Sequence, residues 1–152
     1  MPMLQERHSA RTTPSWYEHA VGHATRQWPD VSAKQRASIA DTLATVTLAL
    51  TSSDMGRPDL ATLRRVLSSW TFNVNARKQT KLTPDQAAAL TWIQHNTLRV
   101  GELADAEVME RALRALASKI DGTAAAANTY RRKRPIFYAA LQYCQRRSDA
   151  ST

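Results

Sequence analysis

Glycine is almost absent from this chain: Gly22, Gly56, Gly101 and Gly122 are the only four among 152 residues. β-Branched residues nowhere alternate convincingly with polar ones. Alanine and leucine dominate, and apolar positions recur at spacings of three and four, which is the period of a helix face and not of a strand. Scarce glycine also leaves few positions for the tight turns that hairpins require. The fold class is therefore all-α.

The individual helices follow from caps and apolar stripes. The spacing predicts a helix from Ala33 to about Thr51, with Ser32 as N-cap, Gln35 completing a capping box, and Ile39, Leu43, Val46 and Leu50 on one face. A second is expected from Asp59 to Val74, with Pro58 near its start and Leu60, Leu63, Leu67 and Trp70 forming its inner stripe. Arg77-Lys78-Gln79-Thr80-Lys81 reads as a basic connection. A third helix begins at Thr83-Pro84-Asp85-Gln86 and fades near Asn96, carrying Leu90 and Ile93 inward. A fourth runs from Ala106 to Ile120 on Met109, Leu113, Leu116 and Ile120, with Gly122 as C-cap. A fifth starts somewhere in Thr123–Thr129 and ends near Arg147, with Phe137, Ala140, Leu141 and Cys144 inward. Pro135 interrupts it, so that helix either starts near Asn128 or bends. Ser15 to Trp28 can form a short helix that groups Trp16, Ala20 and Ala24. The chain thus divides into an N-terminal arm (1–31), partly disordered, a helical domain (32–147) and a disordered tail (148–152). Met1 to Pro14 belongs to the disordered part, and no internal repeat is present.

Composition narrows the partners. Hydrophobic residues make up 43% and charged ones 22%, an ordinary globular balance. The net charge of +8 favours a nucleic acid or an anionic membrane surface as partner. The single cysteine, Cys144, excludes an intramolecular disulfide and is expected to be a buried structural thiol. No apolar run approaches about 18 residues, so no membrane-spanning helix is expected. The polar stretch from Gln5 to Thr13 lacks a signal-peptide core, and the expected location is the cytoplasm.

The charge is also segregated. Residues 32–101 hold nine cations against four anions, residues 123–152 hold six against one, and residues 102–122 between them hold three against five. The densest run is Arg131-Arg132-Lys133-Arg134 in the last helix. Four consecutive cations repel one another and are most simply explained by a polyanion opposite them, although a solvated face is the competing explanation.

Catalytic and metal chemistry find no support. His8 to Arg11 and His23 to Arg26 are His-x-x-Arg strings, but they lie in the N-terminal arm without a third partner. His8, His19, His23 and His95 show no zinc-site spacing and are expected on the surface. There is no glycine-rich phosphate loop, so no Walker-type nucleotide site is expected; no cofactor and no small-molecule substrate are expected either. Tyr130, Tyr138 and Tyr143 have no adjacent base; Tyr143 is expected to pack and the other two to lie on the helix surface. Trp70 and Trp92 are expected in the core.

In order and spacing these pieces resemble the N-terminal, core-binding domain of tyrosine recombinases, the phage-integrase family, in its actinobacterial type. The likeness is carried by Asp121-Gly122, Asn128-Thr129, Arg132-Lys133-Arg134 and Phe137-Tyr138-Ala139-Ala140-Leu141-Gln142-Tyr143. It extends through Trp70-Thr71-Phe72-Asn73, Arg36-Ala37-Ser38-Ile39-Ala40-Asp41-Thr42-Leu43 and Trp28-Pro29, about residues 28–147 in all. Pro135 departs from the pattern, which has a small helix-former there. The resemblance implies a SAM-like bundle of four to five helices that forms one half of a clamp around double-stranded DNA. The catalytic arginines, His-x-x-Arg and tyrosine belong to the other half, so no enzymatic activity is expected of this chain.

On that reading Arg131, Arg132, Arg134, Lys34 and Arg36 are the first candidates for phosphate contact, with Lys133 in the same run. Arg64, Arg65, Arg77, Lys78 and Lys81 follow. Successive helical residues point about 100° apart, so Arg131 to Arg134 cannot all face one partner. The alternative function is a protein-interaction module that docks other recombinase protomers or a partner helix, with Trp16, Val74, Val100 and Ile136 as its candidate apolar surface. A membrane-surface helix is disfavoured, because Phe137 and Leu141 are needed for the core.

Overall fold

The computed structural model describes the backbone of residues 13–118 and 124–150 and the side chains of 13–117 and 128–143. Among these residues the chain is all-helical: two isolated bridges, Ser15 with Arg99 and Thr51 with Thr97, are its only β-type pairings. No described helix is long and apolar enough to cross a membrane.

Helix α1 (Trp16–Gln27) begins where Ser15 Oγ accepts from Glu18 N at 3.1 Å. Glu18 in its first turn and Arg26 in its last both complement the helix dipole. Trp16, Ala20 and Ala24 are buried together, as their spacing predicts. The helix is not peripheral to the domain. Trp16 is fully buried, its Nε1 donates to Thr47 Oγ1 at 3.0 Å, and its ring meets Phe137 edge-on at 5.8 Å. A 3-10 turn, Trp28–Asp30, follows.

Helix α2 (Ala33–Ala49) is the central element. Ser32 caps it by accepting from Gln35 N at 3.2 Å. Ile39, Leu43, Val46 and the following Leu50 are all buried, and so are Thr42, Ala44, Thr45 and Thr47. Small residues on those additional faces let α1, α3 and the two C-terminal helices surround α2.

Helix α3 (Leu60–Val66), capped by Asp59, continues as a π-helical turn, Leu67–Thr71. The expected inner stripe holds only at Leu63 and Leu67. Leu60, at the very start, is 50% exposed. The wider π turn carries Trp70 off the heptad line, and Trp70 is only half-buried, its Nε1 donating to Thr80 O at 3.0 Å. The stretch read as a basic connection is instead a short helix, α4 (Val74–Gln79), capped by Asn73 Oδ1 accepting from Ala76 N at 3.1 Å.

Helix α5 (Pro84–His95) has the full two-way capping box between Thr83 and Gln86. It buries Ala89 and Ile93, while Leu90 and Trp92 are half-buried; Trp92 Nε1 donates to Met55 O at 3.0 Å. After a 3-10 turn, Val100–Ala104, helix α6 (Ala106–Ser118) buries Ala112 and Leu116, with Met109 and Leu113 half-buried. Ile120 and Gly122 lie outside the described residues.

Helix α7 (Ala124–Ala150) is one element through Pro135, so it neither starts at Asn128 nor stops at Arg147. Pro135 is exposed. The carbonyl four residues earlier, which proline deprives of its N–H partner, lies on the same side of the helix, where water can replace it. Phe137 and Ala140 are fully buried and Leu141 half-buried; the Cys144 side chain lies outside the described set. One contiguous core joins Trp16, Leu43, Leu50, Leu63, Phe72, Ile93, Leu116 and Phe137.

Candidate nucleic-acid interface

The cationic half of α7 is arranged by its packing on α2. Phe137 and Ala140 fix which side of α7 faces the core. Lys133, four residues before Phe137, lies on that side, is only 13% exposed, and donates from Nζ to Asp41 Oδ2 on α2. Arg131, Arg132 and Arg134 are exposed. Arg134 lies over the Tyr130 ring at 5.6 Å.

The solvent face of α7 is uniform in character. Asn128, Arg131, Arg134, Pro135, Tyr138 and Gln142 recur at three and four and are all exposed. They line about 21 Å of helix at 1.5 Å per residue. No acidic residue occurs between Asp121 and Asp149.

Asp41 joins this helix to a second basic element. Arg64 on α3 reaches Asp41 Oδ1 at 3.7 Å and Thr45 Oγ1 at 3.4 Å. One carboxylate therefore holds a cation from α3 and another from α7. Arg65, next to Arg64, is exposed, as is Lys34 in the first turn of α2.

The remaining candidates divide between anchored and solvent-facing. Arg36 Nε donates to Trp28 O at 2.9 Å, and its guanidinium lies 4.9 Å over the Trp28 ring. Arg77 Nη2 donates to Thr25 Oγ1 at 2.7 Å, pinning α4 to α1. Lys78 and Lys81 are exposed beside it. Arg36, Arg64, Arg77 and Lys133 thus have internal partners. Lys34, Arg65, Lys78, Lys81, Arg131, Arg132 and Arg134 stand in solvent.

Two of the histidines are not on the surface. His19 and His23 are 1% and 2% exposed. His19 Nε2 is 2.7 Å from Ala140 O, and because a carbonyl can only accept, Nε2 carries the proton. Both imidazoles pack on Tyr143, at 5.4 and 5.8 Å, and Arg26 lies 5.0 Å over the same ring. The His23-to-Arg26 string is therefore part of the α1–α7 packing, because an i,i+4 pair on α1 fills the space under Tyr143. His95 is exposed as expected. Among the described residues no three potential ligands gather for a metal ion. His8 and Arg11 lie outside that set.

The residues expected to offer an apolar docking surface are instead inward. Trp16, Val74 and Val100 are buried and Ile136 is half-buried, because α1, α4 and the 3-10 turn after α5 use them in packing. The exposed large apolar side chains among the described residues are Met55, Leu60 and Tyr138. Burial also raises the Tyr17 hydroxyl above the usual tyrosine range, against the opposite pull of Thr71, Gln94 and the Arg77 charge.

Asp41 is named in the sequence reading only within the Arg36–Leu43 motif and not as a site residue. Its signal was a lone acid between residues 32 and 53, placed mid-helix among side chains destined for burial. Comparisons with models of protein families, with curated proteins and with solved structures found no match.

Proposed function

We propose that this chain is a double-stranded-DNA-binding module, a SAM-like helical bundle of the kind that forms the core-binding half of tyrosine recombinases, with no catalytic residues of its own. The observation that carries the DNA reading is the exposed, acid-free face of α7, on which Asn128, Arg131, Arg134, Tyr138 and Gln142 succeed one another. A helix of this width fits the major groove. Arginine pairs with guanine edges there, and asparagine and glutamine with adenine edges. Arg132, Arg65 and Lys34 are exposed, and on this reading they contact phosphate, which positions a protein on duplex without reading its sequence. The recombinase assignment rests on motif order: the Arg36–Leu43 motif lies within α2, Trp70–Asn73 closes the π turn, and Asn128–Tyr143 lies in one continuous helix.

Fluorescence anisotropy of a labelled generic duplex, titrated with protein over about 50 to 300 mM salt, tests this. Neutralising about five phosphates gives a log–log salt slope of about −4.5. Replacing Arg131, Arg132 and Arg134 together by alanine is expected to flatten that slope by about 0.9 to 1.8, because the three cannot all face one duplex. Absence of binding at the lowest salt would overturn the proposal.

A further inference from the structure

We propose that Asp41 damps the affinity of the DNA-binding surface: its carboxylate withholds Lys133 and Arg64 from DNA phosphates and repels the backbone that approaches them. The inference rests on the DNA-binding reading above.

Lys133 sits in the middle of the densest cation run, yet it is only 13% exposed. A lysine ammonium is compact and strongly hydrated, and its flexible stem ordinarily carries it out to water. Here it turns inward to Asp41 Oδ2, while Arg64, one-third exposed, reaches Oδ1 at 3.7 Å. The Asp41 side chain itself remains 36% exposed. The Arg64–Asp41 pair, with both side chains about one-third exposed, adds little to stability, so fastening α3 is a weak reason for the carboxylate. Its effect on an incoming polyanion is stronger. Arg132 and Arg134 leave α7 on either side of Lys133, and Arg65 follows Arg64. A phosphate drawn to these exposed arginines meets the partly exposed Asp41 charge and must compete with it for the same two cations. Such a residue lowers sequence-independent binding and leaves contacts made by the solvent face of α7 untouched. The ratio of specific to non-specific binding therefore rises.

The test compares wild type with Asp41→Asn, Lys133→Met and Arg131→Ala on one generic duplex, with the fold of each checked by circular dichroism and melting. Asp41→Asn is expected to bind about three- to tenfold more tightly near 100 mM salt, with a slope steeper by about 0.9 to 1.8 as one or two cations become available. Lys133→Met, with Asp41 retained, is expected to change affinity less than about twofold, whereas Arg131→Ala loses about threefold or more. A folded Asp41→Asn that binds no better than wild type overturns the inference and leaves the DNA reading standing. If Asp41→Asn does not fold, a Lys133→Met loss equal to that of Arg131→Ala overturns it. Wild type that fails to bind at the lowest salt removes the DNA reading, and this inference with it.

Discussion

Arg132 and Lys133 are neighbours in sequence and meet different surroundings, because one step along a helix turns the side chain by about 100°. The same rule sets Phe137 about 120° from Arg131 and about 140° from Arg132 around the helix. Phe137 is fully buried against Trp16, so Phe137→Ala removes a ring from a closed core and is expected to destabilise the fold by about 3 to 5 kcal/mol, read as a lower urea midpoint. A loss below about 1 kcal/mol would mean that α7 is not needed to close the core. Tyr17 gives a prediction of opposite kind. Burial raises its hydroxyl, so the folded chain keeps it protonated at a pH where the unfolded chain has released the proton. Its contribution is fully present below the ordinary tyrosine value of about 10 and is lost as pH rises from there through the folded value. Stability should therefore fall on the alkaline side, and Tyr17→Phe should make that fall shallower in denaturation curves taken across the range. Equal slopes for both proteins would show that Tyr17 ionises alike folded and unfolded.

At the level of elements, legibility followed the strength of the local signal. Helices α2 and α5 were readable because Ser32 and Thr83 cap them and apolar stripes run behind the caps. Helix α4 was not, since its six residues are mostly polar and its only marker is the cap at Asn73. The heptad line through α3 failed at Trp70 because a π turn inserts an extra residue, and no periodicity argument anticipates such an insertion. Helix α1 was foreseen from Trp16, Ala20 and Ala24, but the width of its buried face was hidden by His19 and His23, types that usually count toward the surface. Pro135 poses the sharpest question at this scale. The helix continues through it, so its cost is borne by the backbone and not by a break. Pro135→Ala restores a donor and removes a steric conflict in the helix interior, and is expected to stabilise the protein by about 1 to 3 kcal/mol, visible as a higher melting temperature. An unchanged or lower melting temperature would mean that the proline sets a local geometry on which other packing depends.

For the molecule as a whole, the candidate surface was only half legible. The sequence names the cations, but not which ones the fold ties down: Lys133 finds Asp41 across 92 positions, and Arg77 finds Thr25 across 52. Such partners exist only once the helices are packed. What remains exposed sums to a stored repulsion, since a net charge of +8 on 152 residues opposes compaction. Binding and stability should therefore respond to salt in opposite directions. Salt screens the exposed arginines from one another, which stabilises the fold, and competes with them for phosphate, which weakens the complex. Raising salt from about 20 to 300 mM is expected to raise the melting temperature of the unliganded protein by about 2 to 5 °C, the equivalent of about 1 kcal/mol. The variant with alanine at positions 131, 132 and 134 should melt higher than wild type at the low end and gain less on adding salt. A variant that melts lower at low salt would show that these arginines hold the bundle together, and an intramolecular role would then replace the polyanion as the reason for the cation run.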